Sequence, residues 1–393
     1  MSIRVLFLCI FYLASSHVFA DDKQVFKQWL SALKQEAIAD GISKNTVNLT
    51  FKKAKLISRV IALDRAQPEF ISTYLAYLDK RVNASVVEKG RMLQQEHQVM
   101  LDAVQARYGV PKQVLVSFWG METHFGRSQG DFDLPSALMT LAYEGRRADF
   151  FRTELMHLMH IIDAQHHTAT DLRGSWAGAM GQMQFMPSTF LNHGVDADLD
   201  GRINIWTSLP DAFSSAANYL AKSGWHADEP VAIQVKLPKN FNYALAQLNV
   251  RKSVAAWSQL GVEVPSFWLD MDNTAILLPQ GWQGPAMMVF SNFDVIMQWN
   301  RSVNYALAVS NLADQLAGEV PVTLESDLET DALSFNQIWA LQGKLNELGF
   351  DCGKPDGFPG LKTQEAIRLY QASQQLPQDG YASPSLYHRL LEN

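Results

Sequence analysis

Between Leu115 and Arg127 the chain reads Leu-Val-Ser-Phe-Trp-Gly-Met-Glu-Thr-His-Phe-Gly-Arg, a run apolar enough to demand burial that nonetheless carries a carboxylate, Glu122. Val114, Leu115, Phe118, Met121 and Phe125 recur at helical spacing. Pro111 suits the first turn of such a helix, where its missing N–H is not needed. Glu122 falls on the apolar stripe, in line with Val114 and Phe118, beside Trp119 and ahead of a stop expected at Gly126. Any fold that buries this helix must take the acid in with it. A carboxyl that loses hydration has a raised pKa and keeps a proton for general acid work near neutral pH. The competing reading is a structural ion pair with Arg127 or a lysine, and position alone does not choose between them.

The first twenty residues set the compartment. Arg4 is followed by an apolar run from Val5 to about Ala14, then Ser15, Ser16 and a Val18-Phe19-Ala20 end, the pattern of a cleaved secretory signal peptide over 1–20. The run is shorter than the roughly 20 residues of a membrane span, and no later segment is long enough. Cys9 follows the bulky Leu8, not the small residue that lipoprotein processing requires, so the sequence predicts a periplasmic chain without a lipid anchor. Losing Arg4 leaves 32 of the 33 basic residues against 40 acidic ones, a net charge of −8, which disfavours nucleic acid as a partner. Only Cys352 then remains, so no intrachain disulfide is available and a large core must do that work. An apolar content of 47% with ten tryptophans makes such a core feasible, in two or three domains.

From Asp22 to about Tyr108 the pattern is helical: Phe26, Trp29, Leu30, Leu33 and Ala37 share a face, and Ser43 with Asn45 suits the next helix start. The polar stretch Arg59–Pro68 reads as an extended interruption. A helix is expected from Ala148 to about Ala164 behind the pair Arg146-Arg147, and another from Phe213 to Leu220. Val231–Leu237, Thr274–Leu278 and Ala286–Phe290 are short strand candidates, giving a small β-rich insert at about 230–291. An acidic, proline-containing linker follows at 321–334, and 335–393 forms a compact three-helix module with turns at Asp356-Gly357 and Asp379-Gly380. His157, His160, His166 and His167 lack the spacing of a zinc site.

Two loops carry further chemistry. Leu172–Phe190 is rich in glycine, aromatics and the amides Gln182 and Gln184, with Ser175, a composition suited to sugar hydroxyls and N-acetyl groups or simply to a tightly packed loop before Pro187 starts a helix. Asp196, Asp198 and Asp200 stand at positions one, three and five of an EF-hand pattern, with Gly201 at six. Thr207 replaces the usual glutamate at twelve, and Asp211, four residues on, can close a longer loop. Calcium is the ion such oxygen ligands favour, with backbone help from Arg202.

Taken together, GMETHFGR around Glu122, the arginine pair, GSWAGAMGQMQFMPSTF from Gly174, DADLDGRINIW from Asp196 and AANYL from Ala216 resemble the family B lytic murein transglycosylases. The tail from Phe335 resembles the type 1 peptidoglycan-binding domain. The resemblance implies a mainly α (α+β) fold: a lysozyme-like catalytic core over 21–320 with a helical N-terminal region, the β-rich insert and the C-terminal module. It implies cleavage of the β-1,4 bond between N-acetylmuramic acid and N-acetylglucosamine with formation of 1,6-anhydromuramoyl ends, no cofactor for the chemistry, and peptidoglycan strands as partner. Glu122 matches the family's acid and base. Arg147, Ser175, Gln184, Phe185, Tyr219, Asn300 and Tyr305 match cleft residues.

One acid suffices for that reaction, whereas ordinary glycosidases pair two carboxylates. Asp131 and Asp133 are the nearby acids that a hydrolytic rival, a muramidase, would recruit. The other rival is a non-catalytic wall-binding protein, which an intact Glu122 disfavours.

Overall fold

The computed structural model describes residues 11–66, 72–144, 146–168, 172–322 and 331–391. Residues 1–10 of the expected signal segment and 323–330 of the expected linker lie outside the described residues. The first helices are α1 (Phe11–Ala39), α2 (Lys44–Phe51), α3 (Ser58–Ala66), α4 (Tyr74–Arg81), α5 (Ala84–Glu96), α6 (Gln98–Tyr108) and α7 (Lys112–Thr123). Strand β1 (Phe132–Asp133), α8 (Leu134–Glu144), α9 (Ala148–Asp163), β2 (Arg173–Gly174), α10 (Pro187–His193) and α11 (Leu209–Lys222) follow. Then come β3 (Ala232–Val235), α12 (Val254–Gln259), β4 (Ala275–Leu277), β5 (Ala286–Val289), α13 (Ser291–Trp299) and α14 (Val303–Ala317), and last α15 (Phe335–Glu347), α16 (Leu361–Ser373) and α17 (Pro384–Leu391). The fold is mainly helical with small sheets, as the sequence predicts. No helix of the described residues is long and apolar enough to cross a membrane. The described residues fall into two compact units, one drawn from Met1–Ala66 and Ser128–Ser215, the other from Gln67–Arg127 and Ala216–Asn393.

In the first unit α8 and α9 pack side by side, with α3 against α8 and with α2 and α10 against α9. Ser43 caps α2 by accepting from Thr46 N over 3.2 Å, and Asp163 at the end of α9 accepts from both hydroxyls. The extended stretch expected from Arg59 is instead helix α3. Its polarity misleads because tertiary partners absorb it: Val60 is buried, Asp64 meets Arg146 and Arg147, and Arg65 meets Glu144. Strands β1 and β2 form a two-stranded antiparallel pair.

In the second unit α7 is the central helix, packed against α5, α6 and α14. Every side chain from Val114 to Met121 is buried, so the helix is enclosed on all sides along that run and not along one stripe. It stops sooner than Gly126: His124 is already left-handed at φ 50°, followed by Phe125 at φ 60° and Gly126 at φ 80°. A left-handed conformation costs a non-glycine residue about 1–2 kcal/mol. What holds Phe125 there is a notch of two glycines. A Cβ on Gly120 would stand 2.9 Å from the Phe125 ring, and one on Gly90 of α5 3.3 Å from it. The ring is folded back onto α7 and also meets Trp119 edge-on at 5.7 Å.

The β-rich insert forms a three-stranded antiparallel sheet in the order β3-β5-β4, on the three segments predicted, around a core of Trp257, Ile276, Met288 and Phe290. The C-terminal helices close over Leu341, Leu345, Ile367 and Leu390. Two buried glutamines brace this module. Gln342 accepts from Asp356 N and Gly357 N, both over 2.9 Å, and donates to Asp356 Oδ1. Gln371 does the same work one turn later, accepting from Gly380 N and donating to Asp379 Oδ1. Asp379 Oδ2 in turn accepts from Trp282 N of the insert over 2.8 Å. A cavity of about 190 Å³ lies at this junction, lined by Trp282, Gln371, Asp379, Tyr381 and Arg389 among others.

Candidate active site

Glu122 is half-buried between Met121 and Thr123, which are 1% and 0% exposed. Two neutral donors converge on its Oε1: the Trp299 indole Nε1 at 2.9 Å and the Tyr305 hydroxyl at 2.5 Å. Trp299 ends α13 and Tyr305 lies in the first turn of α14, so one short connection supplies both. Asn300 shapes that connection, its Oδ1 accepting from Ser302 N over 3.1 Å, while Ser302 caps α14. Burial, and then the neighbouring Glu122, drive the Tyr305 phenol well above its ordinary pKa, so it stays a donor. Tyr219 stands edge-on to Trp299 at 5.1 Å, its phenol also raised by burial. Phe118 closes the other side of the indole at 4.5 Å.

Of the residues named from sequence, Glu122, Tyr219, Asn300 and Tyr305 thus share one unit and one cluster. Trp299 was not among them. A tryptophan reads as core, yet a buried indole N–H needs an acceptor, and its place beside Asn300 was the available signal.

Arg147, Ser175, Gln184 and Phe185 belong to the other unit. Arg147 pairs with Asp64 over 3.2 Å and lies above the Phe151 ring at 4.9 Å, on the wall of a cavity of about 340 Å³ shared with Arg65, Glu144 and Arg146. Ser175 Oγ accepts from Ala177 N and Ala179 N and so closes its own loop. Gly130 and Gly174 let two strands of chain touch there: a Cβ on Gly130 would stand 2.1 Å from the Gly174 carbonyl. Gln184 sits in a left-handed conformation at φ 49° and donates to the carbonyls of Gly181 and Gln129. The Phe185 ring is 2% exposed and its backbone pairs with Met180, so this residue serves as core and not as a sugar-stacking surface. Asp133 caps α8 through Ser136 N, and the Asp131 carbonyl accepts from Arg173.

The acidic loop is also built in that unit. Carboxylate oxygens of Asp196, Asp198 and Asp211 come within 4.8 Å of one another, and this is the group of potential metal ligands among the described residues. Asp211 is fully buried and accepts from Ala197 N, Asp198 N and Asn204 N, tying the two ends of the loop to the start of α11. Asp200 stands outside the trio, accepting from Arg202 N over 2.8 Å. Three carboxylates gathered this closely, one of them without solvent, form a donor set that fits a hard cation. His166 lies beside the loop with Nδ1 accepting from Ile203 N, and burial lowers its pKa. His160 pairs with Asp40 and His167 with the Thr168 carbonyl.

Comparison with known proteins identifies the family. Residues 25–314 match the family described as the transglycosylase SLT domain, and residues 336–390 the putative peptidoglycan binding domain. The membrane-bound lytic murein transglycosylase B of Escherichia coli K12 is 32% identical over 253 residues, 62% of this chain and 67% of that protein. SltB3 of Pseudomonas aeruginosa, solved with NAG-NAM-pentapeptide, is 39% identical with a TM-score of 0.90, covering 93% of this chain and 99% of that one. The same protein solved with NAG-anhNAM-pentapeptide gives 38% and 0.89 at the same coverage. The lytic transglycosylase Slt35 of Escherichia coli in complex with calcium is 28% identical with a TM-score of 0.65, over 73% and 92% of the two chains. The chain belongs to the SLT-domain transglycosylases.

Proposed function

We propose that this chain is a lytic transglycosylase that cleaves the β-1,4 bond between N-acetylmuramic acid and N-acetylglucosamine, with Glu122 as its single acid and base. The observation that carries the reading is the pair of neutral donors on Glu122 Oε1. They hold the carboxyl in one orientation, from which it can give and take a proton. Glu122 protonates the leaving oxygen. As carboxylate it then takes the proton from the muramoyl C6 hydroxyl, which attacks C1 intramolecularly and closes the 1,6-anhydro ring. No water enters the products, and the attacking oxygen is held on the substrate, where proximity replaces a second carboxylate. Tyr219, Asn300 and Tyr305 are assigned to the glycan beside Glu122, and the family resemblance assigns Arg147, Ser175, Gln184 and Phe185 to it as well.

We assign the domains as a signal peptide at 1–20, a catalytic region at 21–320 and a wall-binding module at 335–393, which places the enzyme in the periplasm. SltB3 bound to a muropeptide with an anhydro end supports the product assignment. Asp196, Asp198 and Asp211 would hold calcium, with Asp200 and Arg202 shaping the loop, and the ion would supply stability and no chemistry; the calcium complex of Slt35 supports this. Mass spectrometry of sugar ends released from purified sacculi tests the reaction: anhydro ends support it, and reducing ends, heavier by one water, identify a hydrolase. Glu122→Gln keeps the side-chain volume and should abolish turnover, while retention of more than about a tenth of kcat, about 1.4 kcal/mol in barrier terms, sinks the assignment.

A further inference from the structure

Helix α7 ends immediately after Glu122, and the way it ends leaves a backbone group that another helix must satisfy. The last carbonyls of any α-helix have no partner within it. Here the reversal through His124 and Phe125 uses some of them: His124 N returns to Gly120 O and Phe125 N to Trp119 O, each over 3.1 Å. Thr123 Oγ1 also donates to Trp119 O and accepts from Gly126 N. The Met121 carbonyl is met from outside, by the guanidinium of Arg81, the final residue of α4. That carbonyl belongs to the peptide plane whose nitrogen is the Glu122 amide. Turning the plane turns the Cα–Cβ bond of Glu122 with it.

We infer that Arg81 is a positioning residue for Glu122, gripping the Met121–Glu122 peptide so that the carboxyl meets Trp299 Nε1 and the Tyr305 hydroxyl together. The inference rests on the reading of Glu122 as the acid and base. Three further observations fit it. Arg81 is half-buried, so its planar fork is held in place where a surface arginine would sweep freely. Its helix, α4, packs on α14, which carries Tyr305, so one short element braces both the acid and its hydroxyl donor. The cation is also felt by both neighbours of the acid: it opposes the rise in the Tyr305 phenol that burial and Glu122 impose, and it adds to the burial that lowers His124. Tyr77, one turn earlier on α4, faces the same phenol, and Arg127 joins Arg81 on His124. The arginine stands 40 residues before the carbonyl it holds and touches no reacting atom, which is why a motif search centred on Glu122 passes over it.

The test uses the full-length protein with Arg81→Gln and Arg81→Lys. A peptide plane that has slipped misplaces the acid by a fraction of an ångström to an ångström, so kcat should fall about ten- to a hundredfold in Arg81→Gln while KM stays within about twofold. Arg81→Lys, which keeps a donor and the charge but loses the fork, should recover part of that loss. The Trp299 indole N–H resonance, assigned by its disappearance in Trp299→Phe, should move in both variants, because its acceptor has moved. Combining Arg81→Gln with Glu122→Gln should cost nothing beyond Glu122→Gln alone, since Arg81 acts through that carboxyl. Wild-type kcat in Arg81→Gln overturns the inference, as does a loss that adds fully to that of Glu122→Gln. If Arg81→Gln does not fold, Arg81→Lys decides: a lowered melting temperature with unchanged kcat and an unmoved indole resonance marks a structural residue only. Substantial activity in Glu122→Gln by itself would instead remove the acid assignment on which the inference stands.

Discussion

Replacing Trp299 by phenylalanine isolates one of the two hydrogen bonds that hold the acid. The indole donates to Glu122 Oε1 over 2.9 Å and packs against Phe118 and Tyr219. Phenylalanine keeps an aromatic ring between those neighbours while deleting the donor, along with one ring of the indole, whose packing loss the melting temperature reads separately. A hydrogen bond to a charged acceptor contributes about 1.5–3 kcal/mol, and the low end applies because Glu122 is only half-buried and Tyr305 still donates. Both donors favour the carboxylate over the acid, so losing one favours the protonated form. General acid catalysis requires that form. The alkaline limb of kcat/KM should therefore move up by about one pH unit, one unit corresponding to about 1.4 kcal/mol. Tyr305 does not blur the measurement, because its phenol is held well above the working range. The assay is the rate of release of anhydro-ended fragments from sacculi at fixed ionic strength across pH, with the melting temperature recorded beside it. An alkaline limb that stays in place or moves downward would show that the indole does not tune the acid, and the reasoning from Oε1 would fail.

Two further outcomes follow from buried acids elsewhere. Asp314 on α14 is raised from 3.8 to about 7, chiefly by burial and then by Glu319. Between those values the folded state holds a proton that the unfolded chain has released, so stability should fall as pH rises from about 4 to 7, by up to about 4 kcal/mol. Melts of Asp314→Asn should lose that slope, and a parallel pH dependence in the variant would exclude Asp314 as its source. At the acidic loop, calcium at about a hundred times its Kd should stabilise the fold by roughly 2.7 kcal/mol, read as a rise in melting temperature over chelator-treated protein. Asp198→Asn should shrink that rise, and equal melting temperatures with chelator and with calcium would leave the loop a plain acidic turn.

What was legible in the sequence is whatever a local pattern encodes. Glu122 stood out because a charge interrupts an apolar helical run, and the three short strands because proline, glycine and asparagine bracket them. The acidic loop announced its spacing, although the trio that converges is Asp196, Asp198 and Asp211, because the distant Asp211 is buried under the loop while Asp200 turns to a backbone amide. What was not legible depends on distance along the chain. Trp299 meets Glu122 across 177 positions, and Asp64 turns helix α3 toward two arginines more than 80 positions away. Phe185 was named as a cleft residue through the family resemblance alone, and the packing around it shows the ring to be buried.

The contact between Trp282 and Asp379 decides how the C-terminal module can be studied. An enzyme cut short before Phe335 would not be the same catalytic body minus an accessory. It would keep the Trp282 amide without its acceptor, and it would lose Tyr381, whose ring lies against Gly281, where a Cβ would stand 3.0 Å from it. The Trp282 ring, already 44% exposed, would be bared further beside Tyr243. Slower digestion of sacculi by such a truncated enzyme would then mix lost wall attachment with damage at the cut face. Single substitutions on the outward side of α15 or α16 leave the junction whole, and they measure attachment alone.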